Sequence, residues 1–182
     1  KKENDTSYRL YTLVSGQTRN GKITFEQYIQ AAGFDSILQA ANRHLLPMSD
    51  NQFQLYRQTN AVGKQTNTFL DLEGLDISTG KRRPVGNLSG GESFKASLSL
   101  ALGLSDTIAE NRGGIQMDAL FVDEGFGTLD SKSLEETKDA LLSMSGENKL
   151  VGIISHRDEL MDIPQKLRVT KGRGGSRIQM EL

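Results

Sequence analysis

The sequence of 182 residues has no cysteine, no tryptophan and only three prolines. Without cysteine there can be no disulfide bond, no thiolate catalysis and no cysteine-ligated zinc site. This composition fits a reducing compartment, and we expect a cytoplasmic protein. No apolar run reaches the length of a membrane span and no leader pattern opens the chain, so we expect no membrane partner. Because the first residue is Lys1 and not Met, we also expect a segment of a longer protein.

The charge and the apolar content are those of a globular domain. A formal net charge of −1 gives the chain no overall attraction for nucleic acid, although it is compatible with a local basic patch. With 36% hydrophobic and 25% charged residues, the chain can bury one sizeable core.

Apolar periodicity predicts alternating helices and strands. Helices are predicted for 1–20, for 24–46 with a break near Gly33 and an end before Pro47, for 93–111 and for 131–144, where Leu134, Leu141 and Leu142 face the core. Strands are predicted for 53–57, 68–72, 75–77, 117–122, 149–154, 167–170 and 177–182, the last two as a hairpin. The strands over 117–122 and 149–154 are continuous apolar runs, which is typical of parallel strands buried on both faces. This order predicts an α/β fold.

A serine and two glycines, Ser89, Gly90 and Gly91, stand where a long helix is predicted to begin. The first backbone N–H groups of a helix have no partner within the helix, and the helix dipole places partial positive charge there. Glycines let an anion approach that backbone without a Cβ in the way. The stretch therefore predicts an anion site, with a linker turn that carries an N-cap as the alternative.

An incomplete P-loop precedes this motif. The residues Gly16–Lys22 match the first seven positions of the pattern, but the eighth position requires a Ser or Thr hydroxyl for Mg²⁺ and is Ile23 here. The neighbouring Thr24 cannot replace it, since one helical residue rotates a side chain by about 100°. An Asn-Gly turn is the interpretation that the sequence favours.

Acidic and histidine side chains follow the two apolar strands. Asp123 and Glu124 end the first strand, and His156 follows the second. Ligands bind at the carboxyl ends of strands in open α/β sheets. There Asp123 could hold Mg²⁺, Glu124 could activate a water molecule and His156 could donate to a phosphate. An acidic loop with an incidental histidine is the alternative. The basic run Lys81–Arg83 is compatible with a solvated loop or with a phosphate or DNA contact.

Taken together, these motifs resemble those of ABC-type ATPases. The stretch Leu88–Glu92 resembles their signature motif, and Leu120–Glu124 their Walker B strand. The stretch Gly127–Asp130 is similar to their D-loop, and Ile154–His156 to the strand end with their switch histidine. Glu92 after the two glycines, where transporters usually have Gln, is similar to the DNA-repair branch, the SbcC family of SMC-like ATPases.

The resemblance implies a split head. In that family the P-loop lies in an N-terminal lobe, a long coiled coil follows, and a C-terminal lobe completes the head. This chain resembles the C-terminal lobe of an ABC-type P-loop ATPase head, with a mostly parallel sheet, flanking helices and a C-terminal β-hairpin, and without the P-loop lobe. Residues 1–20 would be the end of the returning coiled-coil helix, and residues 21–182 the lobe itself.

It also implies ligands, partners and roles. ATP and Mg²⁺ would be bound, with Asp123 as the metal ligand and Glu124 and His156 as catalytic residues. The remaining ATP-binding residues would be Ser89, Gly90, Gly91, Glu92 and Asp130. Partners would be the N-terminal lobe, a second head in a homodimer, an SbcD-like nuclease subunit and double-stranded DNA. The alternatives are an SMC-type chromosome-structural ATPase, an ABC transporter nucleotide-binding subunit and a non-catalytic phosphate-binding module.

Overall fold

The computed structural model describes residues 7–8, 11–12, 14–15, 24–58, 70–111, 118–145, 150–172 and 174–181. The chain divides into two compact units, Lys1–Met117 and Asp118–Leu182. Of the predicted N-terminal helix, residues 7–8, 11–12 and 14 are helical. The incomplete P-loop Gly16–Lys22 lies outside the described residues. No helix within the described ranges is both long enough and apolar enough to cross a membrane.

The first helix, α1, spans Phe25–Met48 and begins at a capping box. The hydroxyl of Thr24 accepts the backbone N–H of Gln27 at 3.2 Å, and the Gln27 side chain accepts the Thr24 N–H at 2.9 Å. The predicted break at Gly33 is wrong, because one glycine costs a helix only about 1 kcal/mol and buried residues flank it. The predicted end before Pro47 is also wrong: the proline lies in the last turn, where little helix remains to be disrupted.

Helix α2 spans Gly90–Asn111 and packs closely against α1 at a glycine. A Cβ on Gly103 would lie 2.4 Å from the backbone nitrogen of Ala41 and 2.8 Å from the carbonyl oxygen of Ile37. Two polar contacts also join the helices: His44 Nε2 lies 2.7 Å from Asp106 Oδ2, and Arg43 donates to Glu110 at 3.3 Å. The backbone of α1 therefore occupies the space that any side chain at position 103 would need.

Replacing Gly103 with Ala is expected to lower the free energy of unfolding by about 1–3 kcal/mol, because the new methyl group meets backbone and not a movable side chain. The matched control is Gly33→Ala in α1, where nothing lies within 4 Å. That change should raise stability by about 0.5–1 kcal/mol through the better helix propensity of alanine. Urea unfolding followed by circular dichroism measures both, and equal effects of the two substitutions would contradict the close helix contact.

A three-stranded antiparallel sheet, in the order β1-β2-β3, completes the first unit: β1 is Phe53–Arg57, β2 is Leu72–Asp76 and β3 is Arg82–Pro84. The side chain of Asn42 in α1 donates to the carbonyl of Leu55 and accepts its N–H, both at 2.8 Å, so it pairs with β1 as a strand would. The apolar core between helices and sheet contains Leu38, Leu45, Phe53, Leu55 and Ala96.

The second unit contains a parallel strand pair and a helix between its strands in the sequence. The strands β4, Ala119–Asp123, and β5, Leu150–Ile154, are parallel neighbours, with Asp123 opposite Ile154. Helix α3 spans Ser131–Met144. Its buried positions, three and four residues apart, are Leu134, Thr137 and Leu141, whereas Leu142 is exposed. The prediction for Leu142 is wrong because its position lies about 100° around the helix from Leu141.

The chain's last strands, β6 (Lys166–Gly172) and β7 (Gly175–Glu181), form the predicted antiparallel hairpin. The α/β fold is therefore confirmed. Among the described strands, however, only β4 and β5 pair in parallel, since the chain returns directly between the strands of the other two sheets. The expected burial of β4 and β5 on both faces is not observed, because Phe121, Leu150 and Ile154 are 63%, 59% and 52% exposed.

Candidate functional site

The predicted site residues form two groups, one in each unit. The first group stands at the start of α2. Ser89 is the N-cap: its carbonyl accepts the first helical bond, from Ser93, at 2.8 Å, and its hydroxyl accepts the N–H of Glu92 at 3.3 Å. The Glu92 carboxylate accepts the Ser89 N–H at 2.8 Å in return, which completes a capping box. Gly90 and Gly91 are the first two helical residues.

A second charged group fixes the Glu92 side chain. The guanidinium of Arg83, in β3, donates from Nη2 to Glu92 Oε1, and from Nη1 to the Asn87 carbonyl at 3.4 Å. Partial burial opposes ionisation of Glu92, but the hydrogen bonds from Ser89 and the charge of Arg83 outweigh it and lower the pKa of this carboxyl. Glu92 is therefore an anion that is held against the helix terminus.

The basic run has an ordered structure and is not merely a solvated loop. Arg82 forms an ion pair with Glu73, and its guanidinium carbon lies 4.9 Å from the centre of the Tyr56 ring. Arg83, the next residue of β3, makes the contacts to Glu92 instead. Sequence reasoning did not find this division. The available signal was the strand period of two, which sends neighbouring side chains to opposite faces.

The second group stands at the carboxyl ends of β4 and β5. The parallel register brings these ends together, and the Glu124 N–H donates to the Ile154 carbonyl at 2.9 Å. His156 Nδ1 then lies 3.1 Å from Glu124 Oε1, and both side chains are exposed, at 78% and 52%. The structure thus joins two residues that the sequence had only assigned to separate strand ends.

The backbone at Glu124 is in the left-handed region, with φ at 55°, and Gly125 follows at 94°. This conformation is uncommon for a residue with a side chain and is found mainly where function requires it. It turns the chain sharply after Asp123, so that successive carboxylates leave the strand in different directions. The acidic loop of the alternative interpretation would not require this turn.

The D-loop-like segment is anchored at both of its ends. Phe126 is buried in a short 3-10 turn, and Leu129 is buried after it. Asp130 is the N-cap of α3, and its Oδ1 accepts the Ser133 N–H at 2.8 Å. The predicted coupling residue therefore has a helix-capping role in this chain.

The acidic residues fit a metal ion that takes few protein ligands. Asp123 is exposed at the end of β4, and the described residues contain no cluster of three or more His, Cys, Asp or Glu side chains that could enclose a metal. Mg²⁺ usually keeps several waters and is held by one or two carboxylates together with substrate phosphates. Asp123 can be such a ligand once a nucleotide phosphate is present.

Known proteins resemble this chain over most of its length. The family model described as "SbcC/RAD50-like, Walker B motif" matches residues 63–142. The SbcC subunit of the nuclease SbcCD from Staphylococcus aureus, strains JH9 and Newman, is 41% identical over 169 residues, 92% of this chain. The chain spans 16% of the length of these curated relatives.

Solved structures with a similar fold are SMC heads. The SMC head domain from Thermotoga maritima has a TM-score of 0.56 and 17% identity, over 85% of this chain and 51% of that one. A chain solved for "structural biochemistry of ATP-driven dimerization and DNA stimulated activation of SMC ATPases" has a TM-score of 0.65 and 15% identity, over 85% and 88%. At these identities the likeness shows the fold alone.

Proposed function

Residues 63–142 of this chain belong to the SbcC/RAD50-like family, and from that premise we propose that the chain forms the C-terminal lobe of an ATP-hydrolysing head. The observation that carries the proposal is the contact of Glu124 with His156 immediately after Asp123, at the carboxyl ends of two parallel strands. A base, a hydrogen-bond donor and a metal ligand then stand at one sheet edge, as hydrolysis of a phosphoanhydride requires.

The proposed reaction transfers the γ-phosphoryl group of ATP to water. Glu124 accepts a proton from the water molecule as its oxygen forms a bond to the γ-phosphorus, and the bond from that phosphorus to the bridging oxygen of ADP breaks. His156 donates from Nδ1 to Glu124, so it donates from Nε2 to a phosphate oxygen only as an imidazolium. When bound by Asp123 and the phosphates, Mg²⁺ would offset the negative charge of the triphosphate.

The apolar surface of β4 and β5 supports the proposal of a second lobe. Parallel sheets are normally covered on both faces, and a two-stranded sheet is rarely stable by itself. Here Phe121, Leu150 and Ile154 remain exposed. The hairpin has a second exposed apolar face, formed by the cross-strand pairs Leu167–Met180 and Val169–Ile178. An N-terminal lobe with the P-loop would cover these surfaces and bring the missing phosphate ligands.

In the assembled protein, two heads would bind two ATP molecules between them. Ser89, Gly90, Gly91 and Glu92 of one head would receive the γ-phosphate of ATP held by the other, and Asp130 would couple the two sites. Residues 1–20 would end a coiled coil that connects the lobes, and residues 21–182 would form the lobe. Hydrolysis would separate the heads and control an SbcD-like nuclease subunit that processes double-stranded DNA breaks in the cytoplasm.

An SMC-type chromosome-structural ATPase is the second candidate, because the similar solved folds are SMC heads. The two candidates differ in the partner. Purification of the tagged full-length protein from its host should recover a nuclease subunit at about one copy per ATPase subunit. Recovery without any nuclease activity, from cells that retain the nuclease gene, would favour the chromosome-structural candidate.

A further inference from the structure

The start of α2 carries a negative charge of its own. The Glu92 carboxylate accepts the N–H of Ser89, and its other oxygen accepts Arg83. The proposed function requires the triphosphate of ATP to approach this same helix terminus. Two anions at one terminus repel each other, and a free carboxylate there would oppose the phosphate. The terminus can serve as a phosphate site only if the charge of Glu92 is compensated.

Arg83 provides both the compensation and the geometry. Its guanidinium contacts Glu92 and the Asn87 carbonyl, so it spans the loop that leads into Ser89. The side chains of Arg83 and Glu92 are only 34% and 27% exposed, which limits screening by salt. Arginine also offers several N–H donors in a fixed plane, an arrangement that one ammonium group cannot reproduce.

We propose that Arg83 is a positioning residue of the ATP site: it cancels the charge of Glu92 and holds that side chain across Ser89, so that the serine and the first amides of α2 can receive phosphate. The proposal rests on the proposed function of this helix terminus. Arg83 acts through Glu92 and touches no phosphate itself.

Four variants of the full-length protein separate these roles. Arg83→Gln removes the charge and keeps a polar side chain of similar reach. Arg82→Gln is the matched control, since Arg82 belongs to the same short strand and contacts Glu73 and Tyr56 instead. Glu92→Gln removes the carboxylate charge and keeps an acceptor for the Ser89 N–H. The fourth variant combines Arg83→Gln with Glu92→Gln. ATP-dependent dimerisation is measured by light scattering as a function of ATP concentration.

Arg83→Gln should raise the ATP concentration needed for half-maximal dimerisation about tenfold, whereas Arg82→Gln and Glu92→Gln should change it by less than about threefold. The double variant should return to within about threefold of Glu92→Gln alone, because no uncompensated carboxylate remains. An unchanged requirement in Arg83→Gln overturns the proposal. A double variant as weak as Arg83→Gln also overturns it, since Arg83 would then contact phosphate directly.

Amide hydrogen exchange without nucleotide keeps this result distinct from failure of the proposed function. The Ser89 N–H is bound by Glu92, so its exchange should be at least about fivefold faster in Arg83→Gln and unchanged in Arg82→Gln. Equal exchange in both variants would overturn the positioning role. If the unsubstituted protein formed no ATP-dependent dimer, the proposed function would fail, while the exchange rates would still decide whether Arg83 orders Glu92.

Discussion

Replacing Glu124 with Gln is expected to lower ATP turnover by the assembled head about 10²–10⁴-fold. Glutamine keeps the length of the side chain and can still reach His156, which lies 3.1 Å from the carboxylate here, but it cannot accept the proton of the attacking water. ATP binding uses other groups, so ATP-dependent dimers should persist and should dissociate more slowly than those of the unsubstituted protein. Single-turnover hydrolysis and light scattering measure the two effects separately.

Glu135→Gln is the matched control for this substitution. Glu135 is an exposed residue of α3 that pairs with Lys138 at 2.8 Å, away from the ends of β4 and β5. Its replacement should change turnover by less than about twofold. Normal hydrolysis by Glu124→Gln would mean that another group is the base, and the role assigned to the Glu124–His156 pair would be wrong.

Replacing Ser89 with Arg is expected to abolish ATP-dependent dimerisation, at least about 100-fold in the ATP concentration required. The substitution removes the hydroxyl that caps α2, which costs about 0.5–2 kcal/mol. It also puts a long side chain into the approach to Gly90 and Gly91, where only small residues leave room for phosphate. Each head should still bind ATP, because the nucleotide is held mainly by the P-loop lobe and by Asp123.

A second substitution at this position separates the two causes. Ser89→Ala removes only the hydroxyl, so it should weaken dimerisation much less than Ser89→Arg does. Binding of a fluorescent ATP analogue, measured in parallel, should be equal in all three proteins. Dimers that formed normally in Ser89→Arg would show that the start of α2 does not meet phosphate across the dimer.

The sequence predicted those features that depend on local patterns. The apolar periodicity gave α3 its observed bounds and the end of α2 near Asn111, and the continuous apolar runs predicted β4 and β5. Asp123, Glu124 and His156 could be assigned to strand ends because each directly follows such a run. The contact between Glu124 and His156 could not be predicted, since it depends on the register that places Asp123 opposite Ile154.

The remaining features depend on tertiary contacts. Gly33 does not break α1, because the helix is stabilised by buried side chains on both sides of the glycine. The link between Arg83 and Glu92 joins two elements that are nine residues apart, and the sequence alone gives several acidic partners for each arginine. The antiparallel pairing of β1, β2 and β3 follows from direct chain reversals, which apolar content alone does not distinguish from crossovers.

The most direct test of the central claim is the ATPase rate of this chain measured with and without a separately expressed P-loop lobe. The proposed split head predicts a rate near background for the chain alone. Addition of the lobe should raise the rate at least about 100-fold, and Glu124→Gln should abolish the gain. Full activity of the chain alone would contradict the account, and it would make the Gly16–Lys22 segment the phosphate-binding loop instead.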